Sequence, residues 1–377
     1  MRIALVHDFF TQWGGGERVL KVFSEIWPDA PIYLIAYDPK LTEEFLPGKK
    51  ITASFMQALP GMPKAFKYYS ILSYLPGMPK PIESFNFDDF DIILSDSSSF
   101  AKGAITHGKT KHVCYLHTPT RFLTSDKEEY VRNAPIPLPW IGRPFVKLLL
   151  KWMTNWDLLA SRRPDYVIAN SRCIAKRTEE YYHRQPDSVI FPPVDTRQFT
   201  ISPQIDDYWL VLGRAEPYKR TDLAIQAANQ LGLKLKIVGG GTKINELKKI
   251  AGPTIEFLGR VSDAELAELY SHAIGLIFPP KEDAGMTPLE AMASGRPVIA
   301  YGEGGALESV VAGVTGEFFY EQTVESLVSV LKNFDANKYD PQKIRAHVMQ
   351  YDVKNFQQKI KEIVEKVITT TASSINA

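Results

Sequence analysis

The sequence predicts an α/β protein with two doubly wound domains. Short apolar runs, each followed by a Gly-rich or polar loop and a helical pattern, alternate along the chain. This alternation is typical of parallel sheets covered by helices. The chain has 377 residues, which is too long for a single hydrophobic core. A proline-containing stretch of poor periodicity, residues 191–207, is the expected linker between the two halves.

The first half contains four strand candidates, each of them a short apolar run. They are Ile3–His7, Ile92–Ser95, Val113–His117 and Tyr166–Ala169. His7 and Asp8 interrupt the N-terminal apolar run too soon for a signal peptide, so this run is expected to be a buried first strand.

The second half shows the same alternation more regularly. Its strand candidates are Trp209–Leu212, Leu235–Val238, Ile255–Leu258, Gly275–Phe278 and Pro297–Ala300. We therefore place an N-terminal domain at residues 1–195 and a C-terminal domain at 196–350. A final helix at 351–368 is expected to pack back toward the first domain. Residues 369–377 are expected to form a disordered polar tail.

Composition narrows the function. A net charge of +1 argues against a dedicated nucleic-acid-binding protein. Cys114 and Cys173 have neither metal-type spacing nor the pattern of a disulfide framework, which favours a reducing, cytoplasmic setting. No apolar run approaches the roughly 20 residues that a membrane-spanning helix needs.

Ligands of open α/β sheets bind beyond the carboxyl ends of the strands, so the residues there are the informative ones. Gly213, Arg214 and Lys219 follow one strand candidate. The two cations suit a diphosphate, with Lys219 at a helix start where a bound anion would offset its conflict with the helix dipole. The alternative is a merely solvated helix start.

The stretch KEDAGMTPLEAMASG, residues 281–295, follows another strand candidate. Thr287 is predicted to cap a helix, with Pro288 at its first position and Glu290 completing a capping box. The N–H groups around Gly285–Thr287 would then form an anion site. Glu282 and Glu290 flank this site and could accept hydrogen bonds from sugar hydroxyls, although capping alone would also explain Glu290.

Three further positions are candidates for ligand contacts. Gly14–Gly16 precede a helix, where main-chain N–H groups can approach a phosphate, but the dinucleotide-binding fingerprint is absent. His117 stands at a strand end with Arg121 close behind, a position that is more often structural than catalytic. The turn at Arg260 and Val261 could contact a nucleobase through its backbone.

Seven motifs in order resemble the retaining GT-B glycosyltransferases of family 4, and they cover nearly the whole chain. They are GGGERV, HTPTR, NSRCIAKRT, PPVD, GRAEPYKRTDLAI, FLGRVSDAEL and EDAGMTPLEAMASGRPVIA. The pair Glu282 and Glu290 in its helix-start context is the most specific of these signals. The resemblance implies two Rossmann-like domains facing a cleft. Ala284 and Asp283 depart from the residues that many members carry, which leaves the sugar-side wall less defined than the phosphate side.

The resemblance also implies roles for individual residues. Arg214 and Lys219 would hold the diphosphate of a nucleotide sugar, Glu290 the ribose hydroxyls and Glu282 the transferred hexose. The remaining contacts would be made by the main chain of Gly285, Met286 and Thr287 to hexose and phosphate, Val261 to the base, Gly15 and Gly16 to phosphate, and His117 to the hexose. His117, Glu282, Arg214 and Lys219 are therefore the candidate catalytic residues.

The expected activity is retaining, metal-independent transfer of a hexose from UDP-glucose or GDP-mannose, with no cofactor. The acceptor would be a saccharide or a lipid-linked saccharide of exopolysaccharide or lipopolysaccharide synthesis. Asp88–Asp91 superficially resemble a metal motif, but a solvated turn is the better interpretation. A 2-epimerase-like enzyme and a non-catalytic nucleotide-sugar-binding subunit are the alternatives.

Two stretches suggest contact with a membrane surface. Residues 45–82 contain five lysines and no acidic residue, and they include the repeats of LPGMPK at 59–64 and 75–80. Residues 139–163 mix aromatic and basic side chains. Such stretches can lie on an anionic membrane at the inner face of the plasma membrane. Core helices with solvated lysines are the alternative.

Overall fold

Thirteen strands form two parallel sheets in the part of the chain that the structure, a computed structural model, describes: residues 1–59, 77–133 and 139–375. The repeats of LPGMPK therefore lie mostly outside the described residues. The first sheet contains β1 Ile3–Phe10, β2 Ile32–Tyr37, β3 Ile51–Ala53, β4 Ile92–Ser97, β5 Lys111–Leu116, β6 Tyr166–Ala169 and β7 Ser188–Val189. The second contains β8 Trp209–Leu212, β9 Leu235–Val238, β10 Ile255–Gly259, β11 Gly275–Phe278, β12 Val298–Tyr301 and β13 Gly316–Phe319.

Helices connect these strands. In the first half they are α1 Gly15–Ile26, α2 Pro39–Phe45, α3 Lys80–Glu83, α4 Lys127–Asn133, α5 Pro139–Ala160 and α6 Arg172–Tyr182. In the second half they are α7 Thr221–Leu231, α8 Ile244–Ile250, α9 Asp263–His272, α10 Met286–Ala293, α11 Ala306–Ser309, α12 Val324–Asn333, α13 Pro341–Val348 and α14 Val353–Ile375. The predicted fold class is confirmed.

The chain divides into two units. One comprises Met1–Phe191 and the chain from Gln357 onward, and the other is Pro192–Phe356. The sequence placed the boundaries after residues 195 and 350 instead. The strand order is β3-β2-β1-β4-β5-β6-β7 in the first unit and β10-β9-β8-β11-β12-β13 in the second. The direction of winding reverses between β1 and β4 in one sheet and between β8 and β11 in the other.

Burial explains why the central strands were predictable. All eight residues of β1 are buried, and β4 and β11 are buried throughout. A strand covered by helices on both faces needs such a continuous apolar run. All nine predicted strands are present; four have the predicted bounds, and the ends of the others differ by at most three residues. The sequence missed β2, β3, β7 and β13.

Two predictions about helix ends are wrong. Helix α10 begins at Met286, and its N-cap is Gly285 at φ +77°, two residues before the predicted N-cap Thr287. Glycine adopts this left-handed conformation without a steric penalty, so it starts the helix in place of a capping side chain. Glu290 is therefore too far into the helix to complete a capping box.

The second error concerns the C-terminal end. Residues 369–375 were expected to be a disordered tail, but α14 continues to Ile375. Thr369 lies within this helix, and its hydroxyl donates to the Glu365 carbonyl oxygen at 2.8 Å. Among the described helices, none has the length and apolarity required to span a membrane.

Candidate functional site

Two predicted site residues meet where the winding of the second sheet reverses. Lys219 ends the 3-10 turn Pro217–Lys219 that follows β8, and Glu282 lies in the loop after the neighbouring strand β11. The Lys219 ammonium donates a hydrogen bond to Glu282 Oε1, and the two side chains are 13% and 17% exposed. The residues that we expected to bind different parts of a ligand thus form an ion pair.

The backbone around Lys219 is held in an uncommon conformation. Arg220 is left-handed at φ +49°, which separates the 3-10 turn from α7. Its guanidinium donates to Asp222 at 3.2 Å and to the Gln322 side chain at 3.2 Å. A cation at a helix start is repelled by the positive end of the helix dipole. Within the protein, Asp222 offsets this repulsion for Arg220, and Glu282 offsets it for Lys219.

The main chain of Glu282 is fixed by the loop that follows β12. The Gly305 N–H donates to the Glu282 carbonyl oxygen at 2.8 Å. A Cβ atom at Gly304, where φ is +72°, would lie 2.3 Å from that oxygen. A Cβ at Gly305 would lie 2.5 Å from the Ala284 backbone. Only glycine allows this close approach, so the loop sets the position of Glu282 through backbone contacts.

The start of α10 lies directly after this loop. Gly285 is buried, Met286 and Thr287 are half-buried, and no side chain caps the helix. The N–H groups in the first turn of a helix have no intrahelical partner. With the positive end of the helix dipole, they suit an anion.

Glu290 points toward the neighbouring helix α9. Glu290 is 5% exposed, and its Oε2 accepts a hydrogen bond from the Tyr270 hydroxyl at 2.9 Å. Tyr270 is itself buried. The glutamate therefore joins two helices, and its predicted contact with ribose hydroxyls stays a prediction.

Two other predicted contact residues also follow strands of the second sheet. Arg214 is exposed just after β8, with Nη2 3.4 Å from the Tyr218 hydroxyl. Val261 follows β10, the edge strand that lies two positions from β8. Ser262 and Glu265 form a capping box at the start of α9, directly after Val261.

A second polar cluster lies where the winding of the first sheet reverses. Asp96 on β4 is fully buried and accepts from two histidines: His7 Nδ1 at 2.9 Å and His117 Nε2. His7 lies opposite Asp96 in the β1–β4 pairing, and His117 directly follows β5. At Gly16, in the first turn of α1, a Cβ would stand 3.6 Å from His117 Nε2 and 3.7 Å from His7 Cε1. Gly16 and His117, both predicted site residues, are thus neighbours.

Electrostatics in this cluster favour charge on His7 and Asp96. Burial by itself would lower the pKa of His7, but the hydrogen bond and charge of Asp96 outweigh it and raise the pKa to about 9. Burial would raise the pKa of Asp96, but the two histidines outweigh it and hold the pKa below its ordinary value. Burial raises the pKa of Glu17, which lies in the first turn of α1. Gly15 is exposed at the start of that helix.

Sequence reasoning did not identify His7, Asp96 or Glu17 as site residues. The available signal was a titratable side chain inside an otherwise apolar strand, as in IALVHDFF and IILSDS. Such a side chain is buried with the strand and therefore needs a partner.

The loop after His117 is anchored by a buried ion pair. Lys102 Nζ lies 2.6 Å from Asp157 Oδ1, and both side chains are almost fully buried. The same carboxylate accepts from the hydroxyls of Thr120 at 2.8 Å and Tyr182 at 2.7 Å. Thr120 belongs to the HTPTR motif, so this network fixes the segment that carries His117.

Asp91, the last residue of the candidate metal motif Asp88–Asp91, has a structural role. Asp91 Oδ2 accepts a hydrogen bond from the Arg2 N–H at 2.7 Å, just before β4 begins. Within the described ranges, no group of three or more His, Cys, Asp or Glu side chains is arranged to hold a metal ion. Metal-independent transfer stays a prediction.

Comparison with known proteins gives matches over both units. Residues 13–198 match the family described as "Glycosyltransferase Family 4", and residues 195–355 match "Glycosyl transferases group 1". Human alpha-1,3/1,6-mannosyltransferase ALG2 is 27% identical over 269 residues, which are 61% of this chain and 61% of the human protein. The chain thus spans less than two thirds of that relative's length.

Solved structures share the fold across nearly the whole chain. Anabaena Alr3699/HepE in complex with UDP has a TM-score of 0.70 at 19% identity, covering 97% of this chain and 100% of that one. HepE has also been solved with UDP-glucose. Sucrose-phosphate synthase from Thermosynechococcus elongatus has a TM-score of 0.71 at 15% identity, covering 98% and 100%. The two family matches, which together extend from residue 13 to residue 355, and this shared fold show that the chain belongs to the family 4 glycosyltransferases of GT-B fold.

Proposed function

We propose that this protein transfers a hexose from a nucleoside diphosphate sugar to a saccharide acceptor. The observation that carries the proposal is the Lys219–Glu282 pair beside the uncapped start of α10. An ammonium group and helix N–H groups suit a diphosphate, and a carboxylate suits sugar hydroxyls. The three features converge at the topological switch point of an open sheet, where ligands of such folds bind.

The ion pair is compatible with ligand binding because each partner keeps hydrogen-bonding groups that the pair does not occupy. An ammonium group has three hydrogen-bond donors, and among the described residues Lys219 donates only to Glu282. No described side chain or N–H donates to Glu282 Oε2. We assign two donors of Lys219 to the diphosphate and Oε2 to a hexose hydroxyl.

The other contacts follow the family pattern. In this proposal Arg214 and the main chain at Gly285, Met286 and Thr287 hold the diphosphate end, and Val261 meets the base. Glu290 meets the ribose. The contacts expected of Gly15, Gly16 and His117 stay predictions.

Transfer in this proposal retains the anomeric configuration. The bond from the anomeric carbon to the leaving diphosphate oxygen breaks, and a bond to the acceptor oxygen forms on the same face. The proton of the acceptor hydroxyl passes to the leaving phosphate. Negative charge grows on the diphosphate as this happens, and Lys219, Arg214 and the α10 N-terminus stabilise it most strongly at that moment.

The donor is UDP-glucose or GDP-mannose. HepE, solved with UDP-glucose, supports the first, and the human relative, a mannosyltransferase, supports the second. A thermal-shift series with UDP-glucose, GDP-mannose, UDP and GDP decides between them, since a ligand that binds only the folded protein raises its stability. At a ligand concentration a hundred times Kd, the free energy of unfolding increases by about 2.7 kcal/mol.

We expect one base to produce this shift and to support transfer of its sugar to a saccharide acceptor, detected by mass spectrometry of the product. Adenosine diphosphate glucose is the matched control, because it carries the same sugar as UDP-glucose on a different base. If neither nucleotide series shifts the melting temperature and no sugar is transferred, the proposed function is wrong.

Helix α5 supports the further proposal that the acceptor is lipid-linked and that the protein docks on an anionic membrane. Leu148, Trp152 and Leu159 are 66%, 47% and 61% exposed. Lys147 and Lys151 are four residues apart and exposed, and each directly precedes one of the exposed apolar residues Leu148 and Trp152. This exposed stripe of three apolar and two basic side chains contains no carboxylate, as expected of an interfacial helix.

The membrane proposal predicts binding to vesicles of phosphatidylcholine with 30% phosphatidylglycerol, a composition chosen at roughly the charge of a bacterial inner leaflet. Replacing both lysines, Lys147→Gln with Lys151→Gln, should weaken vesicle binding about 30-fold at low salt, at about 1 kcal/mol per basic residue. The control is Lys359→Gln with Lys361→Gln, two exposed lysines of α14. Equal cosedimentation of the two double variants would contradict a docking role for α5.

A further inference from the structure

We propose that Tyr270 is a positioning residue that holds the Glu290 carboxylate in the orientation in which it accepts from the ribose hydroxyls of the donor nucleotide. The inference rests on the proposed function, because it concerns how the ribose of that nucleotide is bound. The residues that carry it all belong to the second unit, Pro192–Phe356. It gives the buried contact between α9 and α10 a role in nucleotide selection.

The Tyr270 hydroxyl reaches two groups of α10. It donates to Glu290 Oε2 at 2.9 Å, and it lies 3.5 Å from the Thr287 carbonyl oxygen. Thr287 belongs to the first turn of α10, whose N–H groups the proposed function assigns to the diphosphate. One hydroxyl on α9 therefore contacts both the carboxylate proposed for the ribose and the helix turn proposed for the diphosphate.

Tyr270 is itself held in place by packing. It is 1% exposed and lies near the C-terminal end of α9. The Phe199 ring contacts its ring edge to face, with the ring centroids 5.9 Å apart. A tyrosine side chain has two χ angles, whereas a glutamate side chain has three. The hydroxyl of a packed tyrosine is therefore a fixed donor that can restrain the more flexible Glu290.

Burial makes the orientation of the carboxylate depend on its hydrogen bonds. Glu290 is 5% exposed, and burying a carboxylate is costly unless the group is hydrogen-bonded. The bond from Tyr270 fixes the position of Oε2 and, with it, the plane of the carboxylate. A carboxylate offers about four acceptor sites on its two oxygens. The bond from Tyr270 is therefore compatible with acceptance from the two hydroxyls of a ribose.

The alternative is a purely structural bond, in which Tyr270 only joins α9 to α10. The two roles have different effects on ligands. Loss of a structural bond would lower the stability of the protein and weaken the binding of ribonucleotides and deoxyribonucleotides alike. Loss of a positioning bond would weaken the ribonucleotide selectively, because 2′-deoxyribose lacks one of the hydroxyls that Glu290 accepts from.

Binding of ribo- and deoxyribonucleotides to the full chain tests the proposal. Isothermal titration calorimetry with UDP against 2′-deoxy-UDP, and with GDP against 2′-deoxy-GDP, measures the preference for ribose on the base that the protein binds. In the unsubstituted protein we expect a preference of about 10-fold, the order of one net hydrogen bond. In Tyr270→Phe we expect the preference to fall below about threefold, with the affinity for the deoxynucleotide nearly unchanged.

The matched control is Tyr208→Phe. Tyr208 is also buried, and its hydroxyl donates to the Leu269 carbonyl oxygen at 2.8 Å. It therefore bonds to the main chain of the helix that carries Tyr270. Its replacement should leave the ribose preference unchanged, whatever its effect on stability. Glu290→Ala should reduce the preference as far as Tyr270→Phe does.

An unchanged ribose preference in a folded Tyr270→Phe variant would overturn the inference, even if the protein is an active transferase. The absence of any preference in the unsubstituted protein would overturn it as well. If Tyr270→Phe does not fold, Phe199→Leu replaces it, because this variant keeps the hydroxyl but loosens the ring, and an unchanged preference would again contradict the inference. If no nucleotide of either base binds and no sugar is transferred, the proposed function is wrong, and the inference fails with it.

Discussion

Lys219→Ala is expected to reduce kcat/KM for sugar transfer by about 10²- to 10³-fold, the typical cost of removing one group that stabilises charge in the transition state. Lys219 is the cation that the structure places between β8 and the start of α10, and its loss leaves the leaving diphosphate less stabilised. Folding should be little affected, because Glu282 remains 17% exposed and can be solvated. Initial-rate kinetics with a fixed acceptor measure the loss, and circular dichroism checks the fold.

The exchange of both partners separates ligand binding from ion pairing. Lys219→Glu with Glu282→Lys restores an ion pair, yet it should remain as inactive as Lys219→Ala because phosphate would then face a carboxylate. Lys281→Ala is the neighbouring control, since Lys281 pairs with Glu303 at 2.5 Å on the exposed side of the same loop. Full transfer activity in the exchanged variant would show that only the ion pair matters.

Lys102→Met is expected to lower the free energy of unfolding by about 3–5 kcal/mol, because it leaves the Asp157 carboxylate buried and unpaired. Burial by itself would lower the pKa of Lys102, but the charge of Asp157 outweighs it and raises the pKa above its ordinary value. Lys102 is therefore charged in the folded protein. Chemical denaturation of the full chain at neutral pH measures the loss.

Lys111→Met provides the exposed counterpart of that substitution. Lys111 pairs with Asp165 at 3.0 Å, and both side chains are more than a quarter exposed. A pair of this kind contributes about 0–1 kcal/mol. If the two methionine variants lose equal stability, the Lys102–Asp157 network does not anchor the HTPTR segment in the way that its burial indicates.

The sequence predicted β1, β4 and β11, which are buried throughout, but it also predicted the poorly buried β10 and missed the largely buried β2. Three of the four missed strands have physical reasons. β7 has two residues and β3 has three, which is too few for a periodic signal. β13 begins with Gly316, where a Cβ would lie 1.9 Å from the Val298 carbonyl oxygen. Glycine is required there by the approach of β12, and such a contact between distant segments has no signature in the local sequence.

The site was predictable as a set of residues but not as a set of contacts. Lys219 and Glu282 were both recognised at strand ends, yet their pairing depends on β8 and β11 being neighbours in the sheet. The Asp96 cluster depends on register, because His7 and Asp96 meet only when β1 and β4 align as they do. Glu290 was assigned from its position after Thr287 and from the family resemblance, and neither reveals that its side chain bonds to Tyr270.

The contacts of Gly304 and Gly305 bear on how the substrate range of this protein can evolve. They hold Glu282 by its main chain, so they do not depend on the identity of the side chains beside it. The side chain of Asp283, next to Glu282 in the chain, can therefore diverge while the carboxylate stays in place. Selection for a new hexose would act on that neighbour and preserve the two glycines.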